Sequence, residues 1–245
     1  MRNEIVLIAS VIGIYGATLL WYVLFGNKGL MCWTVIATIS ANIEVLILID
    51  AFGLSQTLGN ILFASTFLVT DILSEVSGKR QANQAVNIGI LTSACFILLS
   101  QSWFLYIPSG QDDMFSSIRH IFSNTPRMML VGLLVYAIVQ RFDVWAYHRW
   151  WEFTERLSGD KRKFLYLRNN GSTLISQLLN TVLFTIGAFW GTYDTKTLWS
   201  IMVSSYIIFI FTSLADTPVV YLARWIHDKR CAGRAQALGN VVEQS

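Results

Sequence analysis

The chain has 245 residues, is 54% hydrophobic and only 13% charged, with a formal net charge of +3. A water-soluble domain carries about 25% charged residues, so this composition argues against one and points to lipid as the solvent. The three cysteines, Cys32, Cys95 and Cys231, have no spacing that suggests a disulfide framework or a zinc site.

A helix needs roughly 20 apolar residues to cross a bilayer. Seven segments meet that test, over about 4–25, 30–50, 57–76, 86–107, 126–146, 171–190 and 198–224. Backbone amides in hydrocarbon must be satisfied internally, so runs of this length are expected as helices. The first segment has the position of a signal peptide, but its apolar part is long and lacks a clear small-residue cleavage site. It reads as a retained span. Short glycine-containing connectors, "GNKG" and "DAFGLSQ", separate the first three segments.

Lysine and arginine in the connections set orientation. One set holds Lys28, Lys79, Arg80, Arg141, Arg149, Arg156, Lys161, Arg162, Lys163, Arg168, Arg224, Lys229, Arg230 and Arg234. The other holds Arg2, Arg119, Arg127 and Lys196, which is fourteen against four. The N-terminus is therefore expected outside and the C-terminus in the cytoplasm. The most basic connection, fifth to sixth, reads as a topology signal rather than a nucleic-acid surface, and its Trp145, Trp150 and Trp151 suit an interfacial belt.

Carboxylates inside a span are expensive, roughly 2.5–3.5 kcal/mol for a central Asp on insertion scales. The third span carries two, in "STFLVTDILSEVSGKR": Asp71 and Glu75 share a helical face with Phe67, Ser74 and Gly78. Two readings stand. The face lines a solute cavity, or Asp71 pairs within the protein while Glu75 reaches interfacial water.

The sixth span places Thr173, Ser176, Gln177, Asn180 and Phe184 along one stripe. Such groups hold helices together, at roughly 0.6 kcal/mol each on average. They also suit a flat polar heterocycle, because amides supply donor and acceptor together while an aromatic face stacks. In the second span Asn42 is the stronger site candidate, since Glu44 lies about 200° away around the helix. In the last span Asp216 precedes Pro218, where a kink is expected.

No P-loop, HExxH or GxSxG motif is present, and His120, His148 and His227 are scattered. No nucleophile–base pair stands out. A repeated charged ring, as in a pore, is also missing.

The stretches "ANIEVLILIDAFG", "ILFASTFLVTDILSEVSGKRQANQAVNIG", "FDVWAYHRW", "RNNGSTLISQLLNTVLFTIGAFWG" and "DTPVVYLA" occur in that order. Together they resemble the queuosine precursor transporter family, also called the vitamin uptake transporter family, over about residues 33–223. The resemblance implies an all-α integral membrane protein with a six-helix transporter core, here with one additional N-terminal helix. That divides the chain into the added helix at 1–28, the core at 29–226 and a cytoplasmic tail at 227–245. It implies an inner-membrane importer of 7-cyano-7-deazaguanine and 7-aminomethyl-7-deazaguanine, with queuine for some relatives, salvaged for queuosine in tRNA. Neither enzymatic activity nor a cofactor is implied. The alternative is a substrate-binding component for another vitamin or nucleobase that needs an ATPase partner.

The positions matching the family pattern are Asn42, Thr70, Asp71, Glu75, Arg168, Asn169, Ser176, Gln177 and Asn180; Glu44, Phe67 and Phe184 join them as candidates. Many relatives carry Asp where Asn180 stands, and a basic residue where the last span reads "SYIIFIF". On this reading Asp71 or Glu75 takes the donor edge of a deazaguanine, Gln177 and Asn180 take the remaining groups, and Phe67, Phe184 or Trp190 stacks. The partners expected are that base, the lipid bilayer and, through apolar outer faces, a second copy of the chain; no direct nucleic-acid contact is expected.

Overall fold

The computed structural model describes residues 2–109, 113–123, 126–160 and 163–242. The elements run α1 (Arg2–Phe25), α2 (Asn27–Glu44), β1 (Leu48–Ala51), β2 (Leu54–Thr57), α3 (Asn60–Ser77), α4 (Lys79–Ser102), α5 (Asp113–Ser123), α6 (Pro126–Ser158), α7 (Leu165–Phe189) and α8 (Thr195–Val242). A short 3-10 turn, Trp103–Leu105, closes α4. The protein is thus an all-α integral membrane protein with one small hairpin. Among the described residues, α1, α3, α4, α6, α7 and α8 are long and apolar enough to cross a membrane. The 18-residue α2 is more polar, but its rise of about 27 Å nearly matches the hydrocarbon thickness, and α1, α3 and α4 pack around it.

The six-helix core is α2, α3, α4, α6, α7 and α8, with α1 added against α2, α3 and α8. Helix α3 is the hub. It is buried on all sides from Ile61 to Ser74 except for Phe63, which explains why it can carry polar residues that a lipid-facing helix could not. At one end of the bundle, Asn3 donates to the Asp50 carbonyl at 2.8 Å and the Phe52 N–H donates to Glu4 Oε1 at 3.3 Å, seating the start of α1 on the hairpin. There Arg127 also donates to the carbonyls of Gly187 and Trp190 at the end of α7. At the other, basic end, Asn27 donates to Ser77 Oγ at 2.8 Å, and Arg230 donates to the carbonyls of Tyr22 and Val23.

The structure corrects three boundaries. The segment 30–50 is not one span: its helix ends at Glu44 and the apolar "LIDA" pairs with "LSQT" as an antiparallel hairpin. The two turn residues, Phe52 (φ 56°) and Gly53 (φ 74°), both occupy the left-handed region that a type I′ turn demands. Second, most of the basic fifth-to-sixth connection is helical, because α6 continues to Ser158. Lys161 and Arg162 of that connection lie outside the described residues. Third, α8 continues through Pro218 into the expected tail, as far as Val242. Asp194 stands just before its first turn, and its carboxylate accepts bonds from the Thr197 hydroxyl and the Lys196 N–H. Those bonds, the Thr197 hydroxyl first, hold Asp194 below the usual carboxylate range.

Candidate functional site

A cavity lies on the axis of the core toward the hairpin and holds about 650 Å³ of empty space, its open mouth included. All six core helices supply wall residues. Asn42 comes from α2, Asn60, Phe63 and Thr66 from α3, Ser93 from α4, Tyr136 from α6, Asn180 and Phe184 from α7, and Phe209 from α8. Among the described residues the wall carries no charged side chain.

The polar groups are held in place by their own helices. Asn42 donates to its Thr38 carbonyl at 2.7 Å and to Ser93 Oγ at 3.3 Å. Asn60 accepts from Thr57 Oγ1 at 3.0 Å. Its amide nitrogen and the Tyr136 hydroxyl are both buried without a partner among the described residues. Phe63 meets Phe67, Tyr136 and Phe209 at ring separations of 5.4, 6.0 and 6.4 Å. Tyr136 reaches this position across α4: a Cβ on Gly89 would stand 2.1 Å from its hydroxyl oxygen. The result is an apolar, aromatic slot with amides and unpaired donors at its edge, a shape suited to a flat neutral heterocycle.

Below the cavity a polar run leads toward the basic end. Gln140 donates to Thr66 Oγ1 at 2.7 Å and accepts from Thr70 Oγ1 at 3.3 Å. One residue on, Asp71 is 1% exposed and accepts from Thr173 at 3.0 Å. Asp143 of α6 is 0% exposed, with Ser176 beside it. Asp216 of α8 is 1% exposed, next to the Tyr15 hydroxyl of α1, which donates to the Thr212 carbonyl at 3.3 Å. A turn lower, Glu75 receives Arg168 at 2.7 Å, Arg224 at 2.9 Å and the Tyr147 hydroxyl at 2.8 Å. The Arg168 guanidinium also lies 4.2 Å from the Trp151 ring centroid, so this tryptophan supports the ion cluster from within.

Of the twelve residues expected from sequence, Asn42, Asn180 and Phe184 line the cavity, and the others lie outside its wall. Phe67 stands behind Phe63 in a core with Val135 and Val139. Thr70, Asp71, Ser176 and Gln177 belong to the polar run or its flank, all buried. Glu75 and Arg168 form the ion cluster, and Asn169 points toward Thr217 Oγ1 at 3.4 Å. Glu44 is partly buried at the end of α2. Asp71 and Glu75 share a face as expected, yet they meet different partners, and Glu75 pairs with Arg168 and Arg224 rather than with its neighbours Lys79 and Arg80.

Sequence reasoning missed Asn60, Tyr136, Gln140 and Asp143. Asn60 follows a hairpin whose residues pass, by hydropathy, for parts of two spans. Asp143 falls inside the expected fifth span, 126–146, but next to Arg141 at its basic edge, where a carboxylate does not stand out. The structure shows it fully buried.

A family model described as "Putative vitamin uptake transporter" matches residues 57–223. A protein of Bacillus subtilis (strain 168) described as "Probable queuosine precursor transporter" is 36% identical over 206 residues, covering 84% of this chain and 88% of that relative. No solved structure matches the chain.

Proposed function

The chain belongs to the vitamin uptake transporter family, and we propose that it imports queuosine precursors, the 7-deazaguanine bases, across the inner membrane. The observation that carries this reading is the shared cavity: every core helix, and not the added α1, supplies its wall. A site at the meeting point of all moving parts is what alternating access requires. A related protein carrying the name of a queuosine precursor transporter gives the substrate class.

In this reading the base lies between the phenyl rings of Phe63, Phe184 and Phe209. Asn42 and Asn180 read its edge, while the unpaired Asn60 amide and Tyr136 hydroxyl donate to its acceptors. Glu75 and Arg168 act as a structural clamp. The basic end of the bundle, with the extended tails of α6 and α8, faces the cytoplasm and the hairpin faces outward. The protein performs no chemistry on its cargo.

A bacterium that cannot make the precursors and lacks its own importer provides the test. Expression of this chain, with each base supplied at low concentration, is expected to restore queuosine in tRNA, read as a boronate-gel shift. Confirmed membrane insertion without restoration by any base would sink the importer reading in that host.

A further inference from the structure

Asp71, Asp143 and Asp216 come from three different helices, α3, α6 and α8, and each is at most 1% exposed. Asp71 is within electrostatic reach of both others. Among the described residues no ion pair joins any of them to a cation; Asp71 accepts a bond from Thr173, and Asp143 and Asp216 have only a hydroxyl beside them, that of Ser176 and that of Tyr15. The Ser176 hydroxyl set beside Asp143 is 0% exposed, and the buried Gln177 Oε1 one turn above Thr173 has no partner among the described residues.

The other ionisable groups facing this cluster are few. Among the described residues Tyr15 faces it from α1, Glu75 from α3 and Tyr147 from α6, while Arg168 of α7 and Arg224 of α8 pair with Glu75. Glu75 already takes one positive charge from the two arginines, so even the whole remaining charge would balance only one of three carboxylates. An isolated buried carboxylate is too costly to persist and takes up a proton instead. A metal ion is the other remedy. Among the described residues, however, no three His, Cys, Asp or Glu side chains are placed to hold one.

We propose that Asp71, Asp143 and Asp216 form a proton-binding site that couples base entry to proton entry. The run Thr66–Gln140–Thr70 joins the cavity wall by hydrogen bonds to the helical turn bearing Asp71, which gives the two sites a contiguous physical connection. The proton is taken up from the outward-facing state and released on the cytoplasmic side, with no covalent change in the base. What the proton accompanies rests on the importer reading; the proton site itself does not.

The experiment uses the purified full chain in two formats. In proteoliposomes, an acid-outside gradient is expected to drive accumulation of labelled 7-cyano-7-deazaguanine. One proton per base corresponds to about tenfold accumulation per pH unit. Asp143→Asn and Asp216→Asn should keep base exchange between the two sides while losing gradient-driven accumulation. In detergent, infrared difference spectra of the same chain should show protonated-carboxyl absorption at neutral pH that weakens in either variant. Exchange without any response to the gradient in the wild-type chain would overturn the coupling while leaving the importer reading intact. If no base is bound or exchanged, the importer reading fails, and the infrared band decides the proton site alone: its absence overturns it. Should a variant fail to fold, the wild-type gradient and spectrum still decide between these outcomes.

Discussion

Glu75→Gln removes one negative charge from the point where α3, α6, α7 and α8 meet. The side chains of Arg168 and Glu75 are 0% and 2% exposed, and Arg224 is 16% exposed. Breaking a buried ion pair from one side costs about 3–5 kcal/mol, because the partner's charge stays buried without compensation. The lower end applies here, since Arg168 keeps the Lys163 carbonyl at 3.0 Å and the Trp151 face, and Arg224 can reach water. About 3 kcal/mol corresponds to a drop of about 6–12 °C in unfolding midpoint for a chain of this size. Thermal unfolding in detergent, followed by tryptophan fluorescence and by loss of the monodisperse chromatographic peak, measures it. Adding Arg168→Met removes the stranded charge as well and should recover part of the loss, a non-additivity of about 1–3 kcal/mol. A single variant that melts within about 2 °C of wild type would refute the clamp, and Glu75 would return as a candidate for cargo contact.

Three smaller predictions concern the cavity and the added helix. Gly89→Ala would place a methyl group 2.1 Å from the Tyr136 hydroxyl; displacing that ring should weaken base binding at least tenfold, measured by equilibrium dialysis, while Tyr136→Phe in the Gly89→Ala background adds little. Asn180→Ala should lower base affinity about 3- to 10-fold through loss of a neutral hydrogen bond, with the unfolding midpoint nearly unchanged. Gly29→Ala meets the Trp21 carbonyl oxygen at 2.1 Å and should loosen α1 from α2, read as faster proteolysis of the N-terminal segment.

Most of the helical plan was legible because lipid imposes one rule, and long apolar runs obey it whatever their neighbours. The failures occur where that rule is silent. "LIDAFGLSQT" is apolar enough to extend a span, but Phe52 and Gly53 turn it into a hairpin, and a turn of that type leaves no trace in hydropathy. Of the candidate site, the polar residues were legible and their grouping was not. Asp71, Gln177 and Asn180 stood out because polar residues in a span are costly and therefore few. Which of them share a cavity was not legible, since Asn180 faces the slot while Gln177, three residues earlier, is buried outside its wall. A period of 3.6 residues puts both on one broad stripe, and only the packing of α7 against α6 and α8 divides it. Asp143 was overlooked for a different reason: it lay inside the expected fifth span, but beside Arg141 at the basic edge, where a carboxylate is inexpensive, and its full burial shows only in the packing.

The composition of the cavity wall also predicts which base it prefers. Among the described residues its side chains are neutral, and of its two unpaired buried groups the Asn60 amide nitrogen can only donate while the Tyr136 hydroxyl can donate or accept. A 7-cyano substituent brings a compact acceptor that such donors can satisfy. A 7-aminomethyl substituent is an ammonium at neutral pH: it brings only donors and a charge that the wall cannot balance. A polar site left with unmatched groups rejects a ligand more strongly than an apolar one does. The cyano base should therefore bind at least about tenfold more tightly, about 1.4 kcal/mol, in competition against a labelled ligand at neutral pH. Raising the pH until the amine loses its proton should narrow the gap by removing the charge, without abolishing it. Equal affinities at neutral pH would mean that the ammonium finds an anion, and Asp71, below the wall on the same helix as Asn60, would be the residue to test by Asp71→Asn.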